Sequence, residues 1–362
     1  MPAFIRDILI LQCHGSQPCG KGNSMAFCMY LSITGEGKIA IYEMDPESGG
    51  LTHKEDVAAG AGVMPQVVDS DLEHLYAGLR GAPSVQTYSL DRNTGSISLQ
   101  GTTPFDWDTT YMALDNTGRF LLSASYGRAV AGVHAIGDDG MVQAPPVDRQ
   151  ETARCAHYIQ TDASNRFAFV PHVAESNMIC QFRFDENTGR LTPNDPPRVA
   201  QPPDTGPRHY CHHPTLNVLY ADNEQGSSMT AYRFDPDRGT LEALQTVSTL
   251  PSDFNGENTC SQIHIHPSGR FVYASNRGHD SIAWFAIDPV SGLLAAIGQA
   301  PTEKMPRAFN LDPRGRFLYA AGQESGRLAA YRIDQDTGAL SPIGVYDVGP
   351  SPAWVMIVDM DG

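Results

Sequence analysis

The chain has 362 residues, of which 25 are Lys or Arg and 41 are Asp or Glu, giving a formal net charge of −16. This acidic balance argues against a broad nucleic-acid or anionic-membrane surface, and no apolar run reaches the ~18 residues that a membrane-spanning helix needs. We therefore expect neither nucleic acid nor membrane as a partner. The 34 Gly and 26 Pro residues indicate many turns, in a chain with enough apolar residues to form a core without disulfide bonds.

Residues 1–24 differ from the rest of the chain. Their apolar stretch Phe4–Leu11 is interrupted by Arg6 and Asp7, which makes it a poor core for a signal peptide. A strand-like run, Ala26–Ile33, begins directly after Met25. We interpret residues 1–24 as a disordered tail or an over-called start, and residues 25–362 as a single domain.

The cysteines and histidines do not follow the spacing of a common metal or disulfide motif. Seven cysteines occur at irregular positions, so we predict reduced, mostly buried thiols and a cytoplasmic location. His264 and His266 are two residues apart, but no carboxylate lies at a matching spacing. The sequence also has no Gly-rich phosphate loop, Walker motif or Gly-x-Ser-x-Gly elbow. We expect no metal and no cofactor.

An internal repeat organises the sequence. Six times an aromatic residue is followed by an Asp three positions later and by a Gly four positions after that; the copies are Tyr42, Asp45 and Gly49; Tyr88, Asp91 and Gly95; Phe182, Asp185 and Gly189; Tyr232, Asp235 and Gly239; Phe285, Asp288 and Gly292; and Tyr331, Asp334 and Gly338. A degenerate seventh copy has Val133 and Gly140. The glycines follow one another at steps of 46, 45, 49, 50, 53 and 46 residues.

Each copy has the local chemistry of a β-hairpin, in which a strand ends at the Asp and the Gly supplies a positive φ in the turn. A second turn lies upstream, so each repeat has four predicted strands, a to d, which in the last repeat are Arg307–Asp312, Arg316–Ala321, Leu328–Ile333 and Ser341–Val348. Repeats of ~40–50 residues with four strands are typical of propeller blades. No long segment has a helical period. We predict an all-β, seven-bladed β-propeller with almost no helix.

The two ends of the repeat region predict how the ring closes. The run Ala26–Ile33 aligns with strand b, so the first repeat lacks its own strand a. The segment Ala353–Asp359 follows the last strand d and aligns with strand a. We expect this C-terminal strand to complete the first blade, three strands plus one, which removes the edges that an open sheet would expose.

The repeat alignment also assigns residues to the central channel, because strand a lies innermost in a blade. Two rings of positions should lie close together at one mouth, since the d–a and b–c connections open on the same face. The first ring is Met64, Thr110, His157, Arg208, Ser261, Arg307 and Trp354. The second ring is Thr34, Arg80, Tyr126, Val173, Glu224, Arg277 and Gln323. The polar residues at these equivalent positions differ from one blade to the next. Such differences indicate a functional site built on a repeated scaffold.

The rings contain four arginines and a single carboxylate, which indicates an anionic ligand. Several of these residues also have a structural interpretation. Glu224 can simply pair with Arg208 or Arg277, and His157 can be a core histidine. We interpret most of the other histidines near the channel as packing or surface residues; these are His209, His212, His213, His264 and His266.

Three segments resemble the seven-bladed propeller lactonases, a family that includes bacterial 6-phosphogluconolactonases and fungal 3-carboxy-cis,cis-muconate lactonizing enzymes. The segments are GPRHYCHHPTLNVLYADNEQGSSMTAYRFD (206–235), QIHIHPSGRFVYASNRGHDSI (262–282) and PTEKMPRAFNLDPRGRFLYAAGQESG (301–326). The last is more similar to the bacterial branch. The resemblance implies a site made of His157, Arg208, Glu224 and Arg277. The segment ARCAHYIQTD around His157 departs from the family pattern, as do Tyr158 and VPHVAES (170–176).

The resemblance implies hydrolysis of a small anionic lactone, with 6-phosphoglucono-1,5-lactone as the first candidate. Glu224 or His157 would activate water, and an arginine would stabilise the oxyanion. We expect the substrate to be bound by Arg80, Arg307, Asn223, Asn276 and Gln323. Three alternatives remain open: a lactonase for an unphosphorylated aldonolactone, a cycloisomerase of the carboxymuconate type, and a non-catalytic propeller that binds a partner. The sequence does not indicate an oligomeric state.

Overall fold

The structure, a computed structural model, describes residues 27–361 and is a ring of seven four-stranded antiparallel sheets. The only helical element within this part of the chain is a short 3-10 turn, Ala174–Ser176. None of its helices is long and apolar enough to cross a membrane. The predicted all-β seven-bladed propeller is therefore confirmed, whereas the interpretation of residues 1–24 lies outside the described residues.

The strands of each blade follow one another along the chain, except in blade 1. Blades 1 to 4 contain β1 (Phe27–Ile33), β2 (Lys38–Met44) and β3 (Leu51–Ala58); β4 (Val63–Val68), β5 (His74–Leu79), β6 (Ser84–Leu90) and β7 (Ile97–Pro104); β8 (Tyr111–Leu114), β9 (Phe120–Ser125), β10 (Val130–Ala135) and β11 (Asp148–Glu151); and β12 (Gln160–Thr161), β13 (Phe167–His172), β14 (Met178–Asp185) and β15 (Arg190–Ala200).

Blades 5 to 7 contain β16 (Pro207–His212), β17 (Val218–Asn223), β18 (Ser228–Asp235) and β19 (Thr240–Ser248); β20 (Thr259–Ile265), β21 (Phe271–Arg277), β22 (Ser281–Ile287) and β23 (Leu294–Pro301); and β24 (Pro306–Leu311), β25 (Phe317–Gly322), β26 (Arg327–Ile333) and β27 (Leu340–Asp347). The last strand, β28 (Pro352–Asp359), returns to blade 1. The first strand listed for each of blades 2 to 7 is the innermost, and β28 takes that place in blade 1.

The repeated Asp and Gly form the turn between the two outer strands of a blade. In the first copy, the carboxylate of Asp45 accepts the backbone N–H groups of Glu47 and Ser48, both at 2.8 Å. Gly49 then takes a φ of 75°, a conformation that favours glycine. The turn is therefore closed by the side chain that the repeat pattern singles out.

A tyrosine hydroxyl joins each of several blades to the turn of the next one. Tyr220 donates to the carbonyl of Gly292 at 2.8 Å, across the boundary between blades 5 and 6. The same bond occurs at four other boundaries, donated by Tyr30, Tyr76, Tyr273 and Tyr319 to Gly95, Gly140, Gly338 and Gly49. The period of the sequence thus corresponds to a repeated contact between neighbouring blades.

Strand β28 closes the ring as the sequence predicts. It pairs with β1 from Phe27 opposite Asp359 to Ile33 opposite Pro352. Its side chains alternate between two hydrophobic clusters: Val355 and Ile357 pack with residues of blade 7, and the intervening side chains pack with residues of blade 2. Strand β28 therefore completes the sheet of blade 1, and its side chains pack in the boundaries of that blade with blades 2 and 7.

Bulges interrupt the pairing of five innermost strands near the mouth where these strands begin. In β16, for example, the register shifts between Pro207 and Tyr210, which leaves two residues outside the regular ladder. Similar shifts occur in the pairing of β4, β20, β24 and β28. A bulge redirects side chains, so these irregularities determine which residues face the mouth.

The closing strand provides a test of how the ring is held. Ile357→Ala should lower the free energy of unfolding by about 2–5 kcal/mol, because the side chain is buried in the boundary between blades 7 and 1. Val345→Ala on the outer strand β27, where the side chain is 54% exposed, should change it by less than about 0.5 kcal/mol. Urea unfolding measures both. Equal effects of the two substitutions would contradict the closure described here.

Buried histidines predict that the fold loses stability in mild acid. Burial lowers the pKa of His134, His172, His212 and His264 from 6.5 to about 4. Between these values the unfolded chain binds protons that the folded chain does not, so the free energy of unfolding falls as the pH falls. The slope is about 1.4 kcal/mol per pH unit for each fully titrating histidine. Urea unfolding at several pH values measures it. The His134→Leu variant should have a shallower slope, and equal stability at about pH 7.5 and pH 5 would contradict the prediction.

Candidate active site

One carboxylate holds two arginines together at the mouth of the channel. Oε2 of Glu224 accepts a hydrogen bond from Nε of Arg208 at 2.7 Å and lies 3.2 Å from Nη2 of Arg277. Glu224 and Arg277 belong to the second predicted ring and Arg208 to the first. The structure therefore brings the two rings together, as expected from the way the connections open on one face.

The bulge in β16 directs two consecutive side chains toward this mouth. Because Arg208 and His209 lie outside the regular ladder, the backbone N–H of His209 has no backbone acceptor on the neighbouring strand. The carboxylate of Asp222, on β17, accepts that N–H at 2.8 Å. Burial raises the pKa of Asp222 to about 7. Asp222 therefore holds the backbone that positions Arg208 and His209.

His157 lies in an irregular segment before the two-residue strand β12. Its backbone N–H donates to the carbonyl of Pro171 at 3.0 Å, and an isolated bridge joins Ala156 to His172. Two residues earlier, Cys155 has a φ of 64°. The departure of this segment from the family pattern thus coincides with a shortened inner strand, while His157 still reaches the mouth.

The His157 ring is buried beside a second histidine. Its Nδ1 lies 3.2 Å from Nε2 of His209, which in turn lies 3.2 Å from Nη1 of Arg208. Burial, reinforced by the positive charge of Arg208, lowers the pKa of both histidines well below the ordinary value. Both rings are therefore neutral at physiological pH. Within residues 27–361, Nε2 of His157 has no hydrogen-bond partner in the protein.

The remaining arginines differ in how their charge is balanced. Arg80 forms an ion pair with Asp108, with Nε and Nη2 both 3.1 Å from Oδ2. Nη2 of Arg277 donates to the carbonyl of Cys260 at 2.7 Å, in addition to its contact with Glu224. The half-buried Arg307 has no ion-pair or side-chain hydrogen-bond partner among the residues described. Burial, followed by the charges of Arg208 and Arg277, lowers the pKa of Arg307 to about 9, so the guanidinium remains charged at neutral pH.

A cavity of about 880 Å³ extends from the arginines along blade 7 to the segment that connects β27 to β28. Arg277, Arg307 and Gln323 form part of its wall, together with Ser325 and the Gly349–Ser351 segment. The cavity adjoins the Glu224 clamp through Arg277. It has room for a sugar-sized ligand next to the unpaired guanidinium of Arg307.

Two residues that we expect to bind the substrate have their side chains inside blades. The Asn223 side chain is fully buried, and its amide donates to the hydroxyls of Ser228 and Thr230, both at 2.9 Å. The amide of Asn276 is also fully buried and donates to the carbonyl of Thr249 at 3.0 Å. The structure therefore places both amides inside blades, where they bind the protein itself.

An aromatic cluster packs across the channel next to the site. The rings of Tyr111 and Tyr158 lie 3.9 Å apart between centroids, and Tyr111 also contacts Trp354 and His209 at 5.4 and 5.3 Å. Beyond the cluster the channel continues as a second cavity of about 600 Å³ with uncharged walls. The charged groups of the site are thus confined to one mouth.

His209 and Asp222 are members of the site that the repeat alignment does not identify. His209 belongs to the group of histidines near the channel that the sequence leads us to interpret mostly as packing or surface residues. In a regular strand its side chain would point away from the side that Arg208 faces. Only the bulge brings both to the mouth. Within residues 27–361 there is no group of three or more His, Cys, Asp or Glu side chains that could hold a metal ion.

The fold and this site define a lactone-hydrolysing enzyme. A family model described as "Lactonase, 7-bladed beta-propeller" matches residues 26–357, and the chain belongs to that family. A 6-phosphogluconolactonase of Pectobacterium carotovorum subsp. carotovorum (strain PC1) is 34% identical over 92% of this chain and 99% of its own length. A 6-phosphogluconolactonase of Serratia proteamaculans (strain 568) is 33% identical over 91% of this chain and 98% of its own length.

Solved structures also include a similar enzyme. The periplasmic gluconolactonase of Pseudomonas aeruginosa is 25% identical to this chain, with a TM-score of 0.83 over 92% of this chain and 99% of its own. Together these relatives favour the lactonase interpretation over a cycloisomerase and over a non-catalytic binding propeller.

Proposed function

We propose that the protein hydrolyses a phosphorylated sugar lactone, 6-phosphoglucono-1,5-lactone, to the open-chain acid. The observation that carries this proposal is the charged guanidinium of Arg307, which has no partner in the described protein and adjoins a sugar-sized cavity. Two carboxylates, those of Glu324 and Asp347, also line this cavity, but neither forms an ion pair with Arg307. A phosphate there would supply the negative partner that Arg307 lacks. The names of the bacterial relatives support the same substrate.

In the proposed reaction, His157 is the general base. Its pKa is lowered by burial, so it is neutral, and its Nε2 is not engaged by the described protein. A water molecule loses a proton to Nε2 as its oxygen bonds to the lactone carbonyl carbon. The bond from that carbon to the ring oxygen then breaks, and the proton moves from His157 to this oxygen. The new carboxylic acid releases its remaining proton to solvent.

The arginine clamp suits the oxyanion of the tetrahedral intermediate. Arg208 and Arg277 are already fixed by Glu224, so they need no reorganisation when negative charge develops. The same contacts commit one oxygen of Glu224 to two guanidinium groups, which makes the carboxylate a poorer candidate for the base than His157. We therefore assign Glu224 to positioning the arginines.

The second candidate substrate is the unphosphorylated gluconolactone. It is favoured by the similarity to the Pseudomonas aeruginosa enzyme, which is described as a periplasmic gluconolactonase. For the present chain we propose a cytoplasmic location, supported by the cysteines at positions 155, 180, 211 and 260, which form no disulfide with one another within the described residues. A disulfide-free protein recovered in the cytoplasmic fraction of native cells would fit this proposal, and recovery from the periplasm would contradict it.

The phosphate assignment predicts a substrate-selective defect. Arg307→Ala should lower kcat/KM for 6-phosphoglucono-1,5-lactone by about 10- to 100-fold, because a charge-assisted hydrogen bond to phosphate is lost. It should change kcat/KM for glucono-1,5-lactone by less than about threefold. Hydrolysis is followed in a pH-stat after subtraction of the spontaneous rate.

The control for Arg307→Ala is Arg233→Gln, which removes an exposed positive charge from the outer part of blade 5. This variant should hydrolyse both lactones at the wild-type rate. Equal losses on the two lactones in Arg307→Ala would contradict a phosphate subsite at this residue. A wild-type protein that hydrolyses only the unphosphorylated lactone would favour the second candidate.

The choice of base predicts different pH profiles for two variants. His157→Gln should reduce kcat by about 10²- to 10⁴-fold and abolish the fall in rate at low pH, because the imidazole that acts as the base is gone. Glu224→Gln should retain that fall, because the carboxylate positions arginines. The pH dependence of kcat measures both. A retained low-pH limb in His157→Gln, together with its loss in Glu224→Gln, would assign the base to Glu224.

A further inference from the structure

His209 lies between a residue that only donates hydrogen bonds and the proposed base. Its Nε2 is 3.2 Å from Nη1 of Arg208 and 3.2 Å from Nδ1 of His157. Guanidinium nitrogens donate hydrogen bonds and have no lone pair to accept one. Nε2 of His209 therefore accepts, and the proton of this neutral ring lies on Nδ1.

This protonation pattern determines that of His157. Because Nε2 of His209 carries no proton, the contact with His157 is a hydrogen bond only when Nδ1 of His157 donates. A neutral imidazole has one N–H, so Nε2 of His157 carries the lone pair. We propose that His209 is a positioning residue that holds His157 in the tautomer able to accept a proton from water.

The surroundings of His209 fix its ring in this position. Asp222 accepts the backbone N–H at 2.8 Å, which holds the bulged backbone. The ring contacts Tyr111 and Tyr158, with centroid distances of 5.3 and 4.9 Å. His209 is 5% exposed and lies in the wall of the second cavity. The bond to Asp222 thus fixes the backbone of His209, and the two tyrosines fix its ring between Arg208 and His157.

The effect of His209 on catalysis rests on the role proposed for His157 as the base. The assignment of the His157 tautomer does not depend on that role. In the opposite tautomer of His157, Nε2 would carry the proton and could not take one from water. The preference set by His209 should therefore act on kcat, since it changes the fraction of competent base. It should have little effect on KM, because His209 is separated from the cavity of Arg307 and is assigned no substrate contact.

The tautomer can be measured without any substrate. Long-range ¹H–¹⁵N correlation spectra of the ¹⁵N-histidine-labelled full chain, at about pH 7.5, report which ring nitrogen carries the proton. The expected pattern for His157 is a protonated Nδ1 and an unprotonated Nε2; the His157→Gln variant identifies the signals. A protonated Nε2 on His157 in the wild-type protein would overturn the proposal, whatever the enzyme hydrolyses.

Two substitutions of His209 separate the hydrogen bond from the volume of the ring. His209→Gln keeps an acceptor oxygen near the position of Nε2, whereas His209→Leu removes the acceptor. The Leu variant should lose about 10- to 100-fold in kcat with KM changed less than about threefold, the range seen when an orienting group is removed. The Gln variant should retain most of kcat and the wild-type His157 tautomer.

The matched control is His212→Leu, on the same strand, because the ring of His212 packs on Phe169, Tyr210 and Phe234 and its Nε2 has no partner in the described chain. It should leave kcat unchanged.

Equal losses of kcat in His209→Leu and His212→Leu would overturn the positioning role of His209. A His209→Gln variant as impaired as His209→Leu would also overturn it. If His209→Leu does not fold, the wild-type spectra and the Gln variant still decide. Failure of the proposed function would give a different result. The His157→Gln variant would remain active, while the wild-type protein would still show the expected His157 tautomer.

Discussion

The bond from a tyrosine hydroxyl to a glycine carbonyl in the next blade sets the spacing of the ring. It occurs at five boundaries of the described propeller, each time between a buried ring and a turn whose glycine has a positive φ. Where the tyrosine is replaced by Phe169 in blade 4, an amide takes over: Nδ2 of Asn194 donates to the carbonyl of Gly239 at 2.8 Å. The blades are thereby held at fixed intervals around the channel, and the site depends on those intervals because its residues come from different blades.

Much of the architecture could be predicted from the sequence because a propeller repeats local chemistry. The turn residues recur with the blade, and alignment of the copies placed Arg208, Glu224 and Arg277 near one mouth. The two asparagines directly before Glu224 and Arg277 point into the blades, as side-chain alternation in a regular strand requires. His209 could not be placed in the same way, since a bulge cancels that alternation and its position is visible only in the pairing of two strands.

The site concentrates positive charge within an acidic protein. Glu224 offsets part of the charge of Arg208 and Arg277, and Asp108 offsets Arg80, which leaves Arg307 exposed to an incoming anion. The net charge of −16 opposes an anion at long range, but salt screens that repulsion over about 10 Å. Close to the mouth the buried guanidinium groups act in a less polar medium and dominate. The attraction for an anion is therefore confined to one end of the channel.

The position of β28 has a consequence for the order in which the chain is assembled. Synthesis proceeds from the N-terminus, so blades 2 to 7 have all their strands before the inner strand of blade 1 exists. Until β28 emerges, β1 has an unpaired edge and the channel has a gap in its wall. Trp354, which contacts Tyr111 across the channel, also arrives with this last strand. A ribosome that stops a few residues early would therefore release a chain with most of its sheets formed and its channel still open on one side.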